Sequence, residues 1–307
     1  MRVLGLEIYE NTVHHLTRFP AMTVNGTNGW DSPALGELKH ISSTRLTPSL
    51  SIHAFSILTN HEFTRSFRPS QHLTLQFPPD LDPISGPQNL SDQERCLSFT
   101  PFHLQYAEDG TIETISLMAR NGRVTGLLGL PRPQGPLIAR IVEVSGGFPS
   151  EVLGQISQAV CIAGGTGIAP FIAMAAAKNC SRSCREPRPS LICSIRGDDF
   201  GVIEYLWNHE MLYLPDWNSV RIFVTPGEES GGLTAGKPNS WWDQRFKQLL
   251  QDQSDSDVFF LRRMEKEDLD YVAKSKGGPV LFCGSKPLEW QVKMWFLGKR
   301  DVHRTER

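Results

Sequence analysis

The residues of this chain best suited to chemistry stand in one short run, CIAGGTGIAPF at 161–171. An apolar stretch rich in strand formers gives way to Gly164, Gly165, Thr166 and Gly167, and the chain resumes with Pro170. Glycines let a backbone approach an anion with no Cβ in between, and the unpaired N–H groups of a helix start attract phosphate. Pro170 suits a first helical turn, where its missing N–H has no partner to lose. The chemistry implied is a grip on a nucleotide phosphate. The spacing is not Gly-x-Gly-x-x-Gly, however, and the same run also reads as a tight structural turn.

The elements around this run decide how it is held. After residue 158, compact apolar strands (159–163, 190–195, 220–225, 257–261 and 279–283) alternate with helical segments at 170–178, 202–213, 240–251, 265–275 and 286–298. That rhythm predicts a parallel sheet wrapped by helices, with the glycine run joining its first strand to its first helix. From about 38 to 147 the chain instead shows short strands at 50–58, 71–77, 95–102, 111–120 and 137–145, set apart by Pro and Gly. TIETISL in the fourth alternates polar and apolar residues, so a small antiparallel β-barrel is expected. The segment 78–92, rich in Pro, Asp and Ser, is expected to be a loop. The organisation is thus an N-terminal extension at 1–35, a β-barrel domain at 36–150 and an α/β domain at 155–307.

Composition narrows the function classes. With 39% hydrophobic residues, 21% charged residues and a net charge of −2, the 307-residue chain has the make-up of a soluble globular protein. Its scattered Lys and Arg exclude nucleic acid or an anionic membrane as partner. No membrane span and no secretory signal are read in it, so a reduced, cytoplasmic setting is expected. Of the six cysteines, Cys161, Cys193 and Cys283 lie in apolar strand-like runs and read as small hydrophobes, and the Cys180/Cys184 pair lacks the second cluster that zinc requires. No metal site is expected. Nor do paired carboxylates, a Ser/His/Asp order or a His-Glu-x-x-His helix supply another catalytic engine, and His53, His72 and His103 read as packed barrel residues.

In this setting GGTGIAP resembles the first glycine motif of the nucleotide domain in the ferredoxin-reductase family of flavoproteins. Four further segments fall in that family's order. FRPSQHLTL at 67–75 is similar to the barrel segment usually written Pro-Gly-Gln, with Ser70 in place of glycine. RCLSF at 95–99 and NGRVTGLL at 121–128 resemble the paired flavin motifs Arg-x-Tyr-Ser/Thr and Gly-x-x-Ser/Thr. FCGSKP at 282–287 is similar to the late Cys-Gly-Pro turn, with Ser285 replacing proline.

The resemblance implies FAD on the barrel and NAD(P)H on the parallel sheet. Arg95 would pair with the flavin pyrophosphate, Leu97 would lie where the family carries an aromatic, and Ser98 would approach the isoalloxazine. Gly122, Val124 and Thr125 would cradle the same pyrophosphate. Gly164, Gly165, Thr166 and Gly167 would hold the pyrophosphate of NAD(P)H, and Cys283 and Gly284 would lie near the nicotinamide. In SIRGDD (194–199), Ser194 and Arg196 suit a 2′-phosphate, whereas Asp198 or Asp199 suits a free 2′-hydroxyl, so NADH and NADPH both stay open. Ser98 and Cys283 are the residues expected to border hydride transfer. The C-terminal strand whose aromatic covers the flavin in the family is missed in HRTER, leaving either an open flavin face or a chain that continues. The function implied is a flavin reductase delivering electrons to a small molecule or an acceptor protein. The alternative is a fold relative that has lost hydride transfer and uses its interdomain cleft for a non-redox reaction or for binding.

Overall fold

Alternating apolar and polar residues build the first sheet of the computed structural model, which describes residues 34–59, 63, 67–82, 90–132, 135–179, 187–226, 248, 258–274, 278–297 and 300–305. Seven strands form it: β1 (Gly36–Thr47), β2 (Leu50–Thr59), β3 (His72–Gln76), β4 (Cys96–Phe99), β5 (Pro101–Tyr106), β6 (Ile112–Arg120) and β7 (Ile138–Ser145). Their order is β4-β3-β7-β1-β2-β6-β5, every pairing antiparallel. Inward-facing side chains such as Leu38, Phe55, Leu73, Phe77, Ile115 and Ile141 are fully buried and form the core of this half.

The barrel expected from the sequence is not closed. One strand was expected over 95–102, but the run splits at Thr100 into β4 and β5, which occupy opposite edges of the sheet. One residue separates them, so the sheet must curl until its edges meet at that residue. The physical reason for the break is Pro101, which has no N–H to continue a ladder. The seam is spanned by the chain itself: β4 pairs with β3 alone and β5 with β6 alone. His72 Nδ1 lies 2.7 Å from Thr100 Oγ1 at this corner.

The second sheet contains six parallel strands in the order β11-β10-β9-β8-β12-β13. They are β8 (Val160–Gly164), β9 (Ser190–Arg196), β10 (Ser219–Thr225), β11 (Phe259–Phe260), β12 (Val280–Cys283) and β13 (Val302–Arg304). Helices α1 (Ala169–Asn179), α2 (Gly201–Asn208), α3 (Lys266–Lys274) and α4 (Lys286–Phe296) accompany it. The chain runs outward from β8 to β11 on one side, then returns to place β12 and β13 on the other. Strand order therefore reverses between β8 and β12, the place where open α/β sheets hold their ligands.

The two halves share one core. Leu50, Ile52, Phe102 and Met118 of the first sheet pack with Phe171, Ile172 and Ala175 of α1, and Phe148 stacks on Phe171 at 5.6 Å. Two strands escaped the sequence reading. In β1 most positions beyond His40 are exposed, so no apolar period marks it, and β13 has only three residues. The three-residue β13 forms at Val302–Arg304, and Thr305 behind it is buried. The expected extension up to residue 33, the Cys180/Cys184 pair and nearly all of the expected 240–251 helix lie outside the described residues.

Ser70 explains one departure noted in the sequence. Its φ is +84°, the left-handed region that glycine enters freely, and its buried hydroxyl accepts from the Phe148 N–H at 3.3 Å. A hydrogen bond thus accompanies the strain that glycine would avoid.

Candidate functional site

The seam opens into a cleft of about 500 Å³. Leu97, Ser98 and Phe99 of β4 line one wall; Met118, Ala119 and Arg120 of β6 line the other; and the turn Gly122–Thr125 forms one end. Five residues singled out in the sequence (Leu97, Ser98, Gly122, Val124 and Thr125) thus converge on one cavity from two separate stretches. The Leu97 side chain gives an apolar wall where the family pattern has an aromatic ring.

Ser98 is tied into a polar row that crosses three neighbouring strands. Strand register sets Ser98 opposite Thr74 and Thr74 opposite Glu143. Ser98 Oγ lies 2.7 Å from Thr74 Oγ1, which donates to Glu143 Oε2 at 3.4 Å. Sequence reasoning missed Thr74 and Glu143, whose only signal is register across β3.

The Gly122–Thr125 turn is shaped by its own hydroxyl. Thr125 Oγ1 accepts the Gly122 N–H at 2.7 Å and donates to the Arg120 carbonyl. This hydroxyl therefore fixes the turn instead of pointing to a ligand. Val124, at 6% exposure, anchors the turn in the core beneath it.

Three arginines surround the cleft, each with a carboxylate. Arg95 is buried behind it, donating to the Leu90 carbonyl at 3.0 Å and paired with Asp92, while its Nε meets no acceptor. Arg123 stands at the rim and pairs with Glu94 at 2.9 Å, both half-exposed. The Ser91 N–H and hydroxyl hold the Glu94 carboxyl below its usual range, with Arg123 adding to the effect. Arg120 forks onto Asp199 at 2.5 and 3.3 Å. Arg120 and Arg123 carry no signal in the sequence beyond their place beside the glycine turn.

The second group of residues gathers at the carboxyl ends of β9, β8 and β12, where Gly164 stands in register with Ser194, and Cys283 with Ala163. A Cβ on Gly167 would lie 2.1 Å from the Cys283 carbonyl oxygen, and one on Gly164 would strike Leu288 at 2.7 Å. These glycines therefore let the β8 turn press on the end of β12. A Cβ on Gly284 would likewise lie 3.1 Å from the Gly164 backbone. Gly165 differs: its φ is +57° and a Cβ there would meet open space. Thr166 follows it in the short turn Gly165–Ile168, which leads into α1. Cys283 is part-buried and its sulfur accepts from Thr305 Oγ1 at 3.7 Å.

Beside this group, Ser194 and Arg196 sit on one face of β9, with Arg196 exposed. Asp198 is exposed as well, but Asp199 is 3% exposed and held by Arg120 and by the Ser49 hydroxyl at 3.3 Å. Of the two acids considered for a ribose hydroxyl, only Asp198 stands open to solvent.

No family model matches the sequence, and comparison with curated proteins finds no similar chain. Solved structures do resemble it. A ferredoxin NADP+ reductase from Neisseria gonorrhoeae with bound FAD and NADP aligns over 87% of this chain and 97% of that one, at a TM-score of 0.53 and 16% identity. The flavohem-like FAD/NAD binding domain of a nitric oxide dioxygenase from Vibrio cholerae O1 biovar El Tor aligns over 89% and 98%, at 0.56 and 9%. An Amycolatopsis cytochrome P450 reductase aligns over 88% and 69%, at 0.51 and 14%. At these identities the likeness is one of fold: the chain has the two-domain fold of the ferredoxin-reductase-like flavoproteins. Among the described residues, no helix is long and apolar enough to cross a membrane.

Proposed function

We propose that this chain is an NAD(P)H-dependent flavin oxidoreductase, holding FAD in the seam cleft and NAD(P)H across the ends of β9, β8 and β12, and passing electrons to a small molecule or an acceptor protein. The observation that carries this reading is the convergence of Leu97, Ser98, Gly122, Val124 and Thr125 on one cavity. The residues present fit a flavin dinucleotide. A cavity of about 500 Å³ with an apolar wall, a hydroxyl row and rim arginines suits a flat ring bearing a diphosphate. The nucleotide side fits through the open space over Gly165 and the exposed Arg196.

When bound, the flavin supplies the redox chemistry, accepting hydride from a reduced nicotinamide and releasing electrons to an acceptor. The work of the chain is alignment. Leu97 and Val124 exclude water from the cleft, and the Ser98 hydroxyl, oriented by Thr74, offers a donor or an acceptor to whatever ring atom it meets. The contact of Gly167 with Cys283 fixes the distance between the β8 turn and the thiol-bearing end of β12.

The test is the visible absorption spectrum of the purified chain, with FAD added if it is colourless, followed by anaerobic NADH and then NADPH. Flavin bands that bleach support the reading and rank the nucleotides. A chain that ignores added FAD overturns it and moves the assignment to a non-redox use of the cleft.

A further inference from the structure

The carboxylate of Asp199 is 4% exposed, and a charge so buried persists only where donors compensate it. It has three such donors, both guanidinium nitrogens of Arg120 and the Ser49 hydroxyl, and all three come from the first sheet side. Asp199 itself belongs to the other half. It closes the turn Gly197–Asp199, which directly follows Ser194 and Arg196 on β9 and leads into α2. A second contact seats the same turn: a Cβ on Gly201 would lie 2.8 Å from the Leu46 carbonyl oxygen, so the start of α2 rests on the backbone of β1. Arg120, meanwhile, is 56% exposed on its side chain and stands in the wall of the cleft. One ion pair thus ties the cleft wall to the turn beneath the candidate ribose site.

We propose that Arg120 and Asp199 are positioning residues for the nucleotide, fixing the β9–α2 turn so that Ser194 and Arg196 meet the ribose end of NAD(P)H while its nicotinamide reaches the cleft. This rests on the oxidoreductase reading above. Positioning through a buried fork has a kinetic signature. Loosening the turn weakens capture of the nucleotide, whereas a nucleotide that has bound still meets the same flavin, so KM rises with little change in the rate at saturation.

Asp199→Asn is the informative change, because Asp199 does not line the cleft and the amide keeps the shape and one acceptor for Arg120. In FAD-loaded full-length protein, with NADH and NADPH as probes of flavin bleaching, Asp199→Asn is expected to raise KM on the order of tenfold while the saturating rate stays within about threefold. FAD affinity, followed by flavin fluorescence, is expected to stay within about threefold of wild type. Arg120→Gln should raise KM likewise, and Arg120→Lys, which keeps the charge, should recover part of the loss. If Asp199→Asn folds poorly, the Arg120 pair of variants decides, since that side chain is half in solvent. Unchanged KM in a wild-type background that does reduce its flavin overturns the positioning role and leaves the oxidoreductase standing. Equal losses of FAD affinity and nucleotide KM also overturn it, since they mark a merely structural pair. A wild-type chain that binds no flavin removes both.

Discussion

Two neighbouring glycines should respond to the same substitution in opposite ways. Placing alanine at Gly167 sets a Cβ 2.1 Å from the Cys283 carbonyl oxygen and 2.6 Å from its carbon, where ordinary contact needs about 3.5 Å. Both obstructing atoms are backbone at the end of a buried strand, so the turn must move by more than an ångström, at a cost of about 3 kcal/mol. At about 2–4 °C per kcal/mol, Gly167→Ala should melt about 6–12 °C below wild type. Gly165→Ala meets nothing, and its cost is the left-handed backbone alone, about 1 kcal/mol or 2–4 °C. Its effect should be on the ligand instead: a methyl in the space over the β8 turn should raise the KM for NAD(P)H by about tenfold, or about 1.4 kcal/mol, with flavin content intact. Thermal unfolding of both variants and nucleotide titration of the Gly165 variant check this. A Gly167→Ala protein melting within 2 °C of wild type would refute the close approach of β8 and β12, and with it the assembly of the nucleotide half-site.

Three further outcomes follow from the same geometry. Ser70→Ala and Ser70→Gly both lose the hydroxyl that accepts the Phe148 N–H, but only alanine keeps the left-handed strain, so Ser70→Ala should be less stable than Ser70→Gly by about 1–2 kcal/mol in urea unfolding; equal stabilities would show that φ there is not positive. Burial, reinforced by the nearby His40, pulls the His53 imidazole down to about 4. The unfolded chain then binds the extra proton between about 6.5 and 4, so stability is full above 6.5 and falls as pH drops through that window, by about 3 kcal/mol in all. His53→Phe should lose less stability than wild type between pH 7 and 4.5, and parallel losses would rule out a neutral buried imidazole. Arg123→Gln removes a solvent-exposed pair, so melting should shift by less than about 2 °C, whereas FAD affinity should fall about tenfold if the rim guanidinium meets the diphosphate.

Periodicity made the fold class legible. Alternation in TIETISL and the apolar runs of β8, β9, β10 and β12 separate the antiparallel and parallel halves well before any packing is known. Segments with weak periods stayed hidden: β1, whose outer half is mostly exposed, and β13, too short to show one. The strand read at 95–102 was misjudged because Pro101 converts one apparent strand into two, at opposite edges of the sheet. In the cleft, the motif residues could be picked out in the sequence through the resemblance of RCLSF and NGRVTGLL to the family's flavin motifs. Their partners could not. Thr74 and Glu143 reach Ser98 through register, and Asp199 reaches Arg120 across 79 residues of sequence. The fate of the motif residues also depends on packing, as when Thr125 spends its hydroxyl on its own turn and Arg95 withdraws behind the cleft.

The seam at Thr100 has a dynamic consequence. Strands β2 and β6 are laced on both sides, but β4 is laced only to β3, and the cleft lies along its other side. Widening the cleft therefore needs rotation about a few backbone bonds near Thr100 and Pro101, without unzipping a ladder. Amides of Cys96–Phe99 should take up deuterium well before those of β2 and β6, with an opening free energy below that of global unfolding. A ligand that bridges β4 to β6 would act as the missing lace, and the slowing of exchange along that one strand would register its arrival without any colour change.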